Sequence, residues 1–326
     1  MTTLVLARLV GIVAIVAVGY LAARIGPLGR DGAAQVLSDL AFTIFTPALL
    51  FRTTALVDLA TLPWVTLAAF FVPTLVVLGA VRLAGQFLRR RDDEPPGAPA
   101  VRAISVTFGN TVQVGIPVVL ALYGQDGLRL HIAIVSLHAL TILTVITAVM
   151  ELDLARDAAR RHVGSRPDLA RTLLSTARNT VIHPVVLPVL AGLAWNLAGL
   201  GLPGPVDDVL VLLAQAVVPV CLILIGVSLH RYGSRTAIGR ASAVSVGKLV
   251  LLPAVVLVTA RWVFDLHGRP LHVVVLAAAL PVGSNALLFA QRYGTLEGET
   301  STAIVLSTPI YALTLPLWLA ILSAVG

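Results

Sequence analysis

The sequence predicts an all-α polytopic membrane protein of ten transmembrane helices, built as two inverted five-helix repeats with the fourth and ninth helices broken. Three observations lead there. The chain is too apolar for a water-soluble globule, its apolar runs recur at helix-spanning length, and two of those runs are interrupted by Gly, Asn and Pro at corresponding places in the two halves.

Of 326 residues, 58% are hydrophobic and 12% charged, against roughly 25% charged in an ordinary soluble domain. A mean hydropathy of +0.95 exceeds what one buried core supplies, because a soluble protein still covers much of its surface with polar groups. Lipid is therefore the solvent. The net charge of +7 does not mark a nucleic-acid binder, since the arginines fall between apolar runs, where membrane topology accounts for them. The lone cysteine, Cys221, excludes an intrachain disulfide and a cysteine metal site.

A membrane span takes about 20 apolar residues. Residues 59–81, 103–125, 130–150, 180–206, 209–230, 270–291 and 300–326 reach that length without a formal charge. Residues 4–23, 33–51 and 243–264 do so around Arg8, around Asp39, and around Lys248 and Arg261. The run at 4–23 lacks the basic n-region of a signal peptide and is read as the first span.

Short cytoplasmic loops are enriched in basic residues, which fixes the orientation. One set of loops carries Arg24, Arg30, Arg82, Arg89 to Arg91, Arg102, six arginines between Arg156 and Arg178, then Arg231, Arg235, Arg240 and Arg292. The other carries Arg52, Arg129, Arg261 and Arg269, with Asp58, Asp126, Asp207 and Asp208. Both termini are thus expected outside the cytoplasm of a multi-pass cell-membrane protein. The charged stretch 152–178 is expected to be a cytoplasmic linker between a first repeat at 1–151 and a second at 179–326.

Displacing one half by roughly 170 to 180 residues aligns features in order, the usual signature of transporter halves. Gly19 meets Gly192, Pro47 meets Pro219, Pro73 meets Pro253, Tyr123-Gly124 meets Tyr293-Gly294, and His138 meets Tyr311. With five spans per half, an odd number, the second half inserts upside down.

Span four contains Gly109-Asn110-Thr111-Val112-Gln113-Val114-Gly115-Ile116-Pro117, and span nine contains Pro281-Val282-Gly283-Ser284-Asn285. Proline removes a backbone donor, and the freed polar groups find no partner in lipid, so unwound backbone at this depth lines a cavity or is buried in protein. Paired interruptions in two halves point to a transport site, whose half-helix N-termini attract anions. Taken singly, each segment could equally be a structural kink with polar glue; together they favour a site.

With Phe45-Thr46-Pro47-Ala48-Leu49, Gly109-Asn110-Thr111 through Gly115-Ile116-Pro117 to Tyr123-Gly124, Lys248 to Pro253, and Ala279-Leu280-Pro281 through Asn285 to Tyr293-Gly294, the chain resembles the auxin efflux carrier family, as a short prokaryotic member. The resemblance covers essentially the whole chain. It implies ten spans, outward termini, a crossover of helices four and nine, and transport of small organic anions, auxin-like or dicarboxylate such as malate or malonate. It also implies a crossover asparagine in each broken helix, here Asn110 and Asn285, with Pro117 and Pro281 shaping the breaks. Related crossover folds bind sodium or protons through acidic side chains, and neither broken segment here has an Asp or Glu; a proton is thereby favoured over sodium as coupling ion.

Thr111, Gln113 and Ser284 flank the asparagines and are candidate substrate donors. Asp39, Lys248 and His138 are candidate coupling groups. Asp39 reads equally as interfacial, Lys248 reads first as snorkelling to the cytoplasm, and His138 and His183 read first as hydrogen-bonded structural histidines. Gln215 and Cys221 flank Pro219 without an assigned role. No HExxH, P-loop or GxSxG motif is present, so no catalysis, cofactor or metal is expected. Small residues are scattered and single out no dimer face, which leaves a homodimer open. The reading is a secondary carrier working by alternating access. Its alternatives are a cation/proton antiporter of similar fold and a membrane sensor or channel.

Overall fold

A computed structural model describes residues 2–30, 32–56, 62–88, 94–161, 184, 186–232 and 235–325. The side chains of 2–10, 12–13, 88, 113, 117, 158–161, 228, 232 and 235–237 are outside that description, as are most of the expected linker and His183.

The described residues are helical, without strands. In chain order the helices are α1 (Thr2–Ile25), α2 (Ala33–Ala55), α3 (Trp64–Leu88), α4 (Ala98–Thr107), α5 (Ile116–Arg161, broken at Gly124, whose backbone leaves the helix at φ 62° and ψ −157°), α6 (Val186–Leu197) and α7 (Gly204–Tyr232). Next come α8 (Arg235–Val246, continued through a π-turn into Leu252–Trp262), α9 (Gly268–Ala279), α10 (Asn285–Arg292) and α11 (Glu297–Val325). Six of them are long and apolar enough to cross a membrane, and the apolar segments Ala14–Ile25, Val186–Leu197 and Gly268–Ala279 are shorter. Large apolar side chains such as Val76, Leu212, Val258 and Leu313 are exposed, as expected where the surrounding solvent is hydrocarbon.

Three π-turns, Ala41–Phe45, Thr111–Gly115 and Gly247–Leu251, each end two residues before a proline: Pro47, Pro117 and Pro253. Proline cannot donate to the carbonyl four residues back and its ring crowds that carbonyl, so the preceding turn widens to i→i−5 bonding. Those wide bonds run from Thr46 N to Ala41 O, Gly115 N to Asn110 O, and Leu252 N to Gly247 O. The carbonyl of Leu249, the one Pro253 cannot pair, accepts Trp318 Nε1 at 2.8 Å.

Two groups of helices form. In one, α1 packs on α7 and α2 on α6 and α7; in the other, α3, α4, α5, α8, α9 and α11 surround the breaks. Gly19 lies against the backbone of Ile223 and Gly192 against Phe51 and Thr54, so close that a Cβ at either glycine would overlap them. The deepest core is α9, where Val273 to Leu280 are all nearly inaccessible, together with the buried face of α4.

Several sequence expectations need correcting. The sixth span ends at Leu197 rather than 206, because Gly199, in the left-handed region, turns the chain toward α7. Helix α5 runs on to Arg161, anchored by Asp153 on Arg82 and by Glu151 on Tyr293. The first break is three residues, 108–110, with Pro117 inside the resumed helix. Lys248 does not snorkel. It sits mid-helix, thirteen residues past Arg235, about 20 Å along the axis at 1.5 Å per residue, far beyond the reach of its stem, and it is fully buried.

Candidate functional site

The two breaks meet. Gly109 and Val282 pair as an antiparallel bridge. Asn110 N donates to Pro281 O at 2.9 Å and Gly283 N donates to Phe108 O at 2.8 Å. Each break therefore satisfies the backbone that the other leaves open, which is what makes unwound chain tolerable inside a membrane protein.

The two bridge residues are also capped alike. Gly109 N donates to His138 Nε2 of α5 at 3.2 Å, and Val282 N donates to Ser307 Oγ of α11 at 3.1 Å. On the first side, His131 of α5 adds a bond from Nε2 to the Thr111 carbonyl at 2.8 Å. His138 is wedged between Phe108 and Phe70, at ring-centroid distances of 4.5 and 5.7 Å. Behind the crossing, Lys248 Nζ donates to Ala278 O at 2.5 Å, in the last turn of α9. A cation there complements the negative end of the half-helix.

A cavity of about 340 Å³ lies between the two helix groups. One wall is α2 (Leu49, Arg52, Thr53) with Val217 and Val218 of α7; the other is Phe108 to Val112, Ser136 and His138 of α5, and Gly283 to Asn285. Asn110 and Thr111 are buried, Ser284 nearly so and Asn285 half-buried. Asn285 opens α10; Ala286 N and Leu287 N donate to Gly283 O and Ser284 O at 3.1 and 3.0 Å, so this end of the cavity offers the Asn285 side chain and the positive end of a helix dipole. Among the described residues no Asp or Glu lines the cavity, and no cluster of three metal-ligating side chains exists.

Arg52 lines the cavity, and its Nε and Nη2 donate to Asp207 Oδ1 and Oδ2 at 2.6 and 3.1 Å. Away from this pair, the other ion pairs among the described residues lie within the crossing group. Arg102 of α4 donates to Glu299 of α11 at 2.7 and 3.0 Å and to Glu94 at 2.8 and 2.9 Å, while Arg240 of α8 reaches Glu94 at 2.5 Å. Arg82 and Gln86 of α3 hold Asp153 of α5, and Tyr293 donates to Glu151 at 3.0 Å.

Residues 4–319 match the family model described as membrane transport protein. The chain belongs to this family, that of the auxin efflux carriers. A Rhizobium meliloti (strain 1021) protein named "Putative malonate transporter" is 27% identical over 299 residues, 89% of this chain and 87% of the relative. Auxin efflux carrier component 8 of Arabidopsis thaliana is 25% identical over 60% of this chain and 63% of its own length. An uncharacterized transporter of Methanothermobacter thermautotrophicus is 24% identical over 95% and 96% of the two chains.

In this auxin efflux carrier family member, Asn110, Thr111, Ser284, Asn285 and His138 all line one cavity, and Pro281 contributes a carbonyl to the crossing beside it. Lys248 lies behind the crossing rather than in the cavity. Asp39 is exposed on α2, accepts a bond from Gln35 at 3.0 Å and does not reach the cavity, because Ser38, Ala41 and Phe42 take the inward positions. Gln113 lies within the π-turn, and its side chain and that of Pro117 are outside the described residues. Sequence reasoning missed His131, Ser307 and Arg52. For His131 the spacing to His138, seven residues and so two helical turns, was the available signal.

Proposed function

We propose that the protein is a secondary active transporter of small organic anions, working by alternating access around the crossing of its two broken helices. The observation that carries this reading is the hydrogen-bonded meeting of the two breaks at a cavity wall that presents Asn110, Asn285 and the start of α10. A carboxylate is what such donors fit. The malonate and auxin names of relatives agree with that chemistry. A cation/proton antiporter is disfavoured, since no carboxylate among the described residues lines the cavity.

The architecture goes with it: ten crossings in two inverted repeats, 1–151 and 179–326, joined by a cytoplasmic linker at 152–178, with both termini outside. Supporting the repeat, residues equated across the halves sit in equivalent surroundings. Gly19 packs on α7 and Gly192 on α2, Gly124 and Gly294 both turn with φ near +60° (62° and 57°), and the bridge amides are capped from α5 and α11. Transport moves the α1, α2, α6 and α7 group against the crossing group, opening the cavity to each side in turn.

The coupling ion in this reading is a proton rather than sodium, and of the candidate coupling groups His138 is the one that lines the cavity.

The test is reconstitution in liposomes with labelled malonate, malate and indole-3-acetate, with and without a proton gradient and with sodium varied separately. Saturable, gradient-stimulated uptake that accelerates when the vesicle interior is preloaded identifies a coupled carrier; a channel or sensor shows no such acceleration. Asn110→Ala with Asn285→Ala abolishes that uptake at unchanged expression and melting temperature, and retained uptake removes both from the mechanism.

A further inference from the structure

Arg52 is the one formally charged side chain among the described residues that line the cavity. It belongs to α2, whereas Asn110, Ser284 and Asn285 belong to the crossing group, so the guanidinium and the amide donors stand on opposite walls of one space. The other polar groups near Arg52 are committed to their own helices. Thr53 and Thr54 donate to Leu49 O and Leu50 O at 2.7 and 2.8 Å, and Ser136 donates to Ile132 O at 2.8 Å.

The structure also displays what Arg52 binds. Its Nε and Nη2 hold the two oxygens of Asp207 side by side, the forked arrangement in which a guanidinium recognises a carboxylate. Arg52 and Asp207 keep 33% and 30% of their side-chain surface exposed, so the pair is open to exchange. Asp207 is not stranded when the exchange occurs. It lies in the first turn of α7, where the helix dipole stabilises a carboxylate.

We propose that Arg52 receives a second carboxylate of the transported anion in exchange for Asp207, so that the substrate is a short dicarboxylate bridging the two helix groups. One carboxylate rests on the Asn110 and Asn285 wall and the other on Arg52. A monoanion fills only one of the two sites and leaves Arg52 on Asp207. The inference rests on the organic-anion reading above, in which a dicarboxylate is already one of the two classes the resemblance implies, and adds to it the residue that selects the second charge.

The probes are malonate and its monomethyl ester, which keeps the carbon skeleton and removes one charge. In proteoliposomes of the full chain, malonate is taken up and the ester competes at least about tenfold more weakly, the equivalent of 1.4 kcal/mol. Arg52→Gln raises the malonate KM at least about tenfold, by the same conversion, and brings the two probes to near parity; Arg52→Lys, charged but without the fork, restores part of the preference. Asp207→Asn releases the guanidinium and lowers the malonate KM. Unchanged discrimination in Arg52→Gln overturns the proposal. If that variant does not fold, judged by its melting curve, Asp207→Asn decides, and a malonate KM that stays level or rises overturns it. A wild-type protein that transports monocarboxylates without preferring dianions overturns this inference alone, whereas one that transports no organic acid overturns the carrier reading itself.

Discussion

The two ends of the cavity axis are built from the same chemistry at different depth. At one end Arg102 is surrounded by Glu94 and Glu299, which keep only 11% and 7% of their side-chain surface, and it fastens α4 to α11 and, through Arg240, to α8, all within the crossing group. At the other, Arg52 and Asp207, with 33% and 30% of their side-chain surface exposed, join α2 to α7 within the second group. None of these ion pairs crosses the seam between the two groups. The difference lies in burial: a network closed to water fixes the helices it joins, while a half-exposed pair is open to exchange.

The largest contrast this predicts is chemical access. Thr53→Cys, on the cavity wall, reacts readily with a water-soluble maleimide in the purified protein, whereas Ser105→Cys, buried on α4 toward Arg102, does not; buried Cys221 keeps the background low. Equal labelling of the two would erase the distinction between the ends. Next in size is Arg102→Gln. Removing one partner from a buried charge network strands the others, at about 3–5 kcal/mol, so a marked drop in melting temperature and new reactivity at Ser105→Cys are expected, and an unchanged melting curve would contradict the role given to the network. Smallest is Arg269→Gln. Its pair with Asp126 at 2.8 Å is exposed on both sides, where such bridges contribute about 0–1 kcal/mol, so stability and uptake stay as in the wild type within error.

The breaks were legible because the residues that cause them are few and loud: Gly109, Asn110 and Pro281 to Asn285 have no business in an uninterrupted apolar helix. Their meeting was implied only by family resemblance, since a bridge between residues 109 and 282 leaves no local signal in either segment. Lys248 was misread for a related reason. The apolar run suggests a helix beginning near residue 243, but helix geometry continues back through the polar stretch from Arg235, and only the full length places the lysine beyond reach of water. Ser307 was illegible altogether, as one hydroxyl in a span gives no hint that it caps an amide on another helix. Arg52 was sorted with the loops by a rule that counts charges at helix ends, although it lies within α2 and lines the cavity.

The bridge at Gly109 and Val282 has a mechanical consequence. Two broken helices pinned to each other by reciprocal bonds from Asn110 to Pro281 and from Gly283 to Phe108 form a single axle: tilting one drags the other with it. In the proposed carrier, strain applied at either end passes through the pin into both halves of the chain, and the seam that moves is the face where the axle meets α2 and α7.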